Sequence, residues 1–154
     1  MRVLRADPVL DVVSPAKKIQ RISAYIDGAS RGNPGPASVG AVFLDGDKKI
    51  IKSISKRIGN STNNTAEYCA LIIALQEAVM SGVRELEVFT DSELLARQWN
   101  GEYKIKEDSL KVLFLLAAHL KNAFKRLSLC HIPREQNKLA DREANRALDR
   151  DFLV

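Results

Sequence analysis

No apolar run in this 154-residue chain approaches the ~20 residues of a membrane span, so no membrane-crossing helix is expected. Cysteine is scarce. Cys69 and Cys130 are the two present, they fall inside predicted elements without metal-ligand spacing, and they read as buried thiols. The opening residues, MRVLRADPVLDVV, lack the unbroken apolar region of a secretory signal, because Asp7, Pro8 and Asp11 interrupt it. A cytoplasmic protein is the expectation. Internal repeats and low-complexity segments are missing as well. The length leaves room for one domain with a substantial core and not for two. Residues 1–19 have no clean periodicity and read as a flexible N-terminal arm ahead of a domain over 20–154. No obligate protein partner is evident, which points to a monomer.

What the chain has is an ordinary globular balance with a basic excess. Apolar residues make up 45% and charged residues 28%, which fits a soluble domain. Lys and Arg total 24 against 19 Asp and Glu, a net +5. A mildly basic surface suits a polyanionic partner, and it equally suits a solvated surface with none.

Residues 22–27 alternate Ile22, Ala24 and Ile26 with polar positions, which predicts a strand that stops at Asp27. Gly28, Gly32, Pro34, Gly35 and Pro36 then turn the chain. Strands follow at 38–44 and 49–58, joined by a tight turn at Asp45-Gly46, so the first three strands make an antiparallel meander. Residues 64–81 predict a helix apolar nearly all round, hence central, which Gly82 ends. A strand at 85–91 again ends on an acid. Helical patterns resume at 92–100 and 109–125, a fifth strand covers 126–131, and a last helix covers 136–149. The expected fold is therefore α/β: a mixed five-stranded sheet, three antiparallel strands then two parallel, with helices on both faces.

A right-handed crossover places the fourth strand beside the first and parallel to it. Connections then leave their C-terminal ends in opposite directions, which opens the crevice where such sheets bind ligands. Asp27 and Asp91 stand at those two ends, and Glu67 and Asp141 belong to helices that start at the same edge. Each acid has a structural alternative. Asp27 suits a turn, Asp91 an N-cap, Glu67 a capping box with Asn64, and Asp141 the dipole of a first helical turn. Four carboxylates at one edge repel unless a cation neutralises them. Oxygen donors suit Mg²⁺ or Mn²⁺, and a pair of such ions can clamp both oxygens of a phosphoryl displacement. The residues thus point to metal-dependent phosphodiester chemistry.

Four stretches carry a family resemblance: YIDGASRGNPGPASVG, STNNTAEYCALIIAL, VFTDSELLARQWNG and REQNKLADREANRAL. In this order and spacing the chain, over about 20–150, resembles the type 1 ribonuclease H family. The resemblance implies a metal-dependent endonuclease that cuts the RNA strand of an RNA–DNA hybrid, leaving 5′-phosphate and 3′-hydroxyl ends. It implies that Asp27, Glu67, Asp91 and Asp141 hold two Mg²⁺ or Mn²⁺ ions. It assigns Gly28, Ala29 and Ser30 to RNA 2′-hydroxyls, Asn33 to a further strand contact, Thr62 to a DNA phosphate, and Asn63 and Asn64 to the hybrid.

Three departures qualify the match. Residues 99–110, WNGEYKIKEDSL, are too short for the basic handle that many members carry, as in a handle-lacking subgroup. Glu93 stands where Gln commonly meets the hybrid. The group that assists turnover is either Arg134 or His131. Two other functions stay open on the residues alone: a DNA nuclease of the same fold and a non-catalytic hybrid-binding module.

Overall fold

Alternation in the first half of the chain produces a long meander. The computed structural model describes residues 21–149, and the expected arm over 1–19 lies outside them. Strands β1 (Ile22–Ser30), β2 (Gly35–Leu44) and β3 (Ile50–Ser61) pair antiparallel. β4 (Glu85–Thr90) runs parallel to β1, and β5 (Arg126–His131) runs parallel to β4, giving the order β3-β2-β1-β4-β5. The predicted meander, the crossover and the parallel pair are all present.

Among the described residues, four α-helices cover the two faces. α1 (Asn63–Met80) and α3 (Asp108–Lys121) pack together on one face, with α2 (Glu93–Trp99) beside them. Ile22, Ala24, Ile26, Val39, Ala41 and Phe43 meet Leu71, Ala74 and Leu75 of α1 in the core. α4 (Lys138–Asp149) covers the other face, against β1, β2 and β3. Its inner residues Ala140, Ala144 and Ala147 are small and buried. They let the helix approach Gly40, where an added Cβ would lie 2.3 Å from the Ala140 carbonyl oxygen.

Several local expectations are corrected. β1 does not stop at Asp27. Residues 27–30 lose β4 but continue to pair with β2, Gly28 opposite Val39 and Ser30 opposite Ala37. Gly28, Gly35 and Pro36 are therefore strand residues, and residues 31–34 make the turn. β3 likewise runs past Ile58 to Ser61, because β2 offers partners that far. α3 ends at Lys121 and not at Lys125, since the backbone N–H groups of Lys125 and Arg126 donate to the Arg84 carbonyl. A single 3-10 turn over Arg134–Gln136 precedes α4, which begins two residues later than expected. Cys130 is exposed and Cys69 half-buried, so only the second resembles a buried thiol.

Candidate active site

The parallel pairing of β1 and β4 ends at Ile26 opposite Thr90. The next residue on each strand is an acid, Asp27 and Asp91. β1 then leads toward β2 and β4 toward α2, so the two connections part and leave an opening between them. α1 fills one side. Its second turn lies so close to β1 that a Cβ on Gly28 would stand 2.3 Å from the Glu67 backbone nitrogen. This approach brings Glu67 to the strand ends. Carboxylate oxygens of Asp27, Glu67 and Asp91 lie within 4.8 Å of one another.

Asp141 enters from the other face, in the first turn of α4. It acts on Asp27 through both charge and hydrogen bonding, and Asn145 Nδ2 donates to its carboxylate at 3.2 Å. Asn137 sets this helix start. Its side chain is fully buried, its Nδ2 donates to the Ile26 carbonyl at 2.8 Å, and its own carbonyl accepts from the Asp141 backbone at 3.1 Å. Sequence reasoning missed this residue as a tie between β1 and α4. An Asn just ahead of a helix is the available signal.

The structural alternatives for two acids are taken by other residues. Thr62 caps α1, its hydroxyl accepting from the Thr65 backbone at 3.2 Å, so Asn64 is inside the helix and Glu67 is no capping-box partner. Ser92 caps α2 by accepting from the Leu95 backbone at 3.2 Å, which leaves Asp91 outside that role. Asp141 does occupy a first helical turn, where the dipole favours it.

Burial and mutual repulsion act together on these groups. Asp27 is 6% exposed, and its pKa is pushed up to about 8, first by burial and then by the charges of Asp91 and Asp141. Burial, then Asp27 and Asp91, hold Glu67 well above the usual carboxylate range. Among the described residues Glu67 Oε2 is buried without a hydrogen-bond partner. A buried carboxylate oxygen without a donor is costly unless a cation meets it. The donors are all oxygen, which suits a hard divalent ion. The residues fit such an ion.

The acids open into a cleft of about 430 Å³. Gly28, Ala29, Ser30, Asn63, Asn64 and Arg134 also line it, and Arg134 is its one cation among the described residues. Hydrogen bonds tie the rim of this cleft. Ser30 Oγ donates to the Ser61 carbonyl at 2.8 Å, and exposed Asn33 accepts from the Asn63 backbone at 3.1 Å, so Asn33 and Thr62 brace the rim. Glu93 pairs with Arg97 at 2.9 Å and lines a neighbouring cavity with His131. The structure thus brings Arg134 to the acids and places His131 and Glu93 elsewhere.

Residues 25–147 match the family model described as reverse transcriptase-like. The chain is also 44% identical over 129 residues to Ribonuclease HI of Halobacterium salinarum, an overlap of 84% of this chain and 65% of that protein. The chain belongs to the type 1 ribonuclease H family. Another similar protein is the bifunctional protein Rv2228c of Mycobacterium tuberculosis, 44% identical over 124 residues, 80% of this chain and 34% of that protein. The chain thus spans just under two thirds of one relative and about one third of the other. Among solved structures with the ribonuclease H fold, LC11-RNase H1 in complex with an RNA/DNA hybrid matches with a TM-score of 0.81 at 45% identity, covering 85% of this chain and 99% of that one. No described helix is long and apolar enough to cross a membrane.

Proposed function

We propose that this chain is a metal-dependent endoribonuclease that hydrolyses the RNA strand of RNA–DNA hybrids and leaves 5′-phosphate and 3′-hydroxyl ends. One observation carries the reading: three carboxylates within 4.8 Å at the parting of β1 and β4, one with a buried, unpartnered oxygen. The similarity to LC11-RNase H1, crystallised with such a hybrid, supports the substrate class. Asp27 and Asp91 would hold two Mg²⁺ or Mn²⁺ ions most directly, Glu67 would complete one site and Asp141 the other. When bound, the ions supply Lewis acidity at the phosphate and lower the pKa of water.

The chain's own residues do the positioning. Gly28, Ala29 and Ser30 present a strand edge and a hydroxyl beside Asp27. Groups of that kind recognise a 2′-hydroxyl, the feature that separates RNA from DNA. Asn63 and Asn64 sit at the start of α1, where the helix dipole favours phosphate. Arg134 adds positive charge beside the acids, where a leaving strand gains negative charge.

A gel assay with one labelled RNA strand tests this. The strand is offered alone, paired with DNA and paired with RNA, each with Mg²⁺, Mn²⁺ or EDTA. Internal cuts that need metal and a DNA partner are expected. A hybrid that binds and stays intact under every metal would favour the binding-module alternative. Arg134→Ala is expected to lower kcat by about a hundredfold with KM little changed. His131→Ala is expected to keep turnover within about twofold, as for a surface residue away from the chemistry. The reverse ranking in steady-state kinetics would transfer the assisting role to His131.

A further inference from the structure

Helix α3 is apolar on two sides. Leu110, Leu113, Phe114, Ala117 and Leu120 join the core. On its outer side Val112, Leu115 and Leu116 are 58%, 67% and 50% exposed. Spaced i, i+3 and i+4, these three share one face. No described residue covers them. A contiguous aliphatic stripe differs from the scattered single apolar residues of an ordinary surface. We infer that it is the docking surface for residues 3–13 of this same chain, VLRADPVLDVV.

Position supports this occupant. Ile22 pairs with Leu86, and Leu86 with Leu127. The chain therefore enters β1 two strand spacings, about 10 Å, from the start of β5. β5 begins at Arg126, just after α3 ends at Lys121. Arg21 lines one small cavity together with Arg126 and Leu127. The entering chain thus arrives beside the C-terminal end of α3.

Length and chemistry agree with that geometry. α3 has 14 residues and so is about 21 Å long. Residues 14–20 span up to ~25 Å, enough to set the segment over the helix. The segment carries Val3, Leu4, Val9, Leu10, Val12 and Val13, with Asp7 and Asp11 between them. Lys111, one turn before Leu115, is exposed on α3 beside the stripe, where it can meet those acids. Attachment through β1 also gives the segment an effective concentration of about millimolar, which favours it over a free second copy.

Amide hydrogen exchange on the full chain tests the docking. In the wild type, amides of 9–13 should exchange about tenfold or more slowly than an unstructured peptide. Leu115→Lys, and separately Leu10→Ser with Val12→Ser, should each restore the unstructured rate while β1 and β4 amides keep theirs. Unprotected amides in the wild type overturn the inference, and so does protection that survives Leu115→Lys. A dimer that Leu115→Lys splits, with the segment's exchange unchanged, would assign the stripe to a second copy instead.

Discussion

Asp27→Asn is expected to lower the proposed hydrolysis of a hybrid's RNA strand by roughly a thousandfold or more, and without metal to make the folded chain more stable. Both effects have one origin. The wild-type carboxyl is buried beside Glu67, Asp91 and Asp141, and its pKa is pushed from 3.8 up to about 8. Between those values the folded chain holds a proton that the unfolded chain has released. Stability of the metal-free wild type therefore falls as pH rises from about 4 to about 8. Glu67, raised in the same direction by burial and by Asp27 and Asp91, steepens that fall. Asparagine keeps the shape and removes the ionisable group, so its share of the slope disappears. In EDTA at about pH 8 the variant should melt several degrees above the wild type, and at about pH 5 the gap should nearly close. Divalent metal should reverse the order. Binding to the folded wild type should raise its Tm with metal concentration, and the variant should gain much less. Thermal unfolding at the two pH values, with and without Mg²⁺, measures all of this. A flat metal-free profile for the wild type would contradict the electrostatic account. An equal gain from Mg²⁺ in both proteins would remove Asp27 from the metal site.

The topology that gathers these acids was legible because it follows from local pattern and one handedness rule. Alternation marked Ile22, Ala24 and Ile26, the all-round apolar run marked α1, and a right-handed crossover did the rest. Boundaries were less legible, because partners far along the chain decide them. β1 extends past Asp27 only because β2 supplies Val39 and Ser38 opposite Gly28 and Ala29. Thr62 displaces Asn64 as the cap because β3 carries extended backbone up to Ser61. The long-range contacts of Asn137 and Gly40 were illegible for the same reason. The first spans 111 residues to reach Ile26, and the second meets a helix about a hundred residues away. No local period encodes either contact. Among the site residues, the acids were found by their place at element ends. The separation of Arg134 from His131 needed the 3-10 turn, which carries one to the cleft and leaves the other at the end of β5.

Gly28→Ala should remove activity and stability together although it adds one methyl group. Its Cβ would stand 2.2 Å from the Ala66 carbonyl carbon and 2.3 Å from the Glu67 nitrogen. Both are backbone atoms of α1, and neither can rotate away. The strain relaxes only if α1 shifts from β1, and overpacking of this kind costs about 1–3 kcal/mol or more. Glu67 rides on α1, so the shift also spreads the three-acid cluster. A displacement of about 1 Å in a positioned catalytic group is worth about a hundredfold in rate. Gly40→Ala provides the matched comparison. Its Cβ would meet α4 as closely, 2.3 Å from the Ala140 oxygen and 2.5 Å from the Ala144 nitrogen. α4 carries Asp141, which lies outside the cluster of Asp27, Glu67 and Asp91. Both variants should lose similar Tm in EDTA, but Gly28→Ala should lose more of the Tm gain that Mg²⁺ confers. Equal loss of that gain would mean that the place of Glu67 matters to the ions no more than that of Asp141, which would complete the second ion site from α4. Unequal loss would mean that Gly28, read from the sequence as a turn residue, serves the site by letting α1 approach β1 closely enough to set Glu67 beside Asp27.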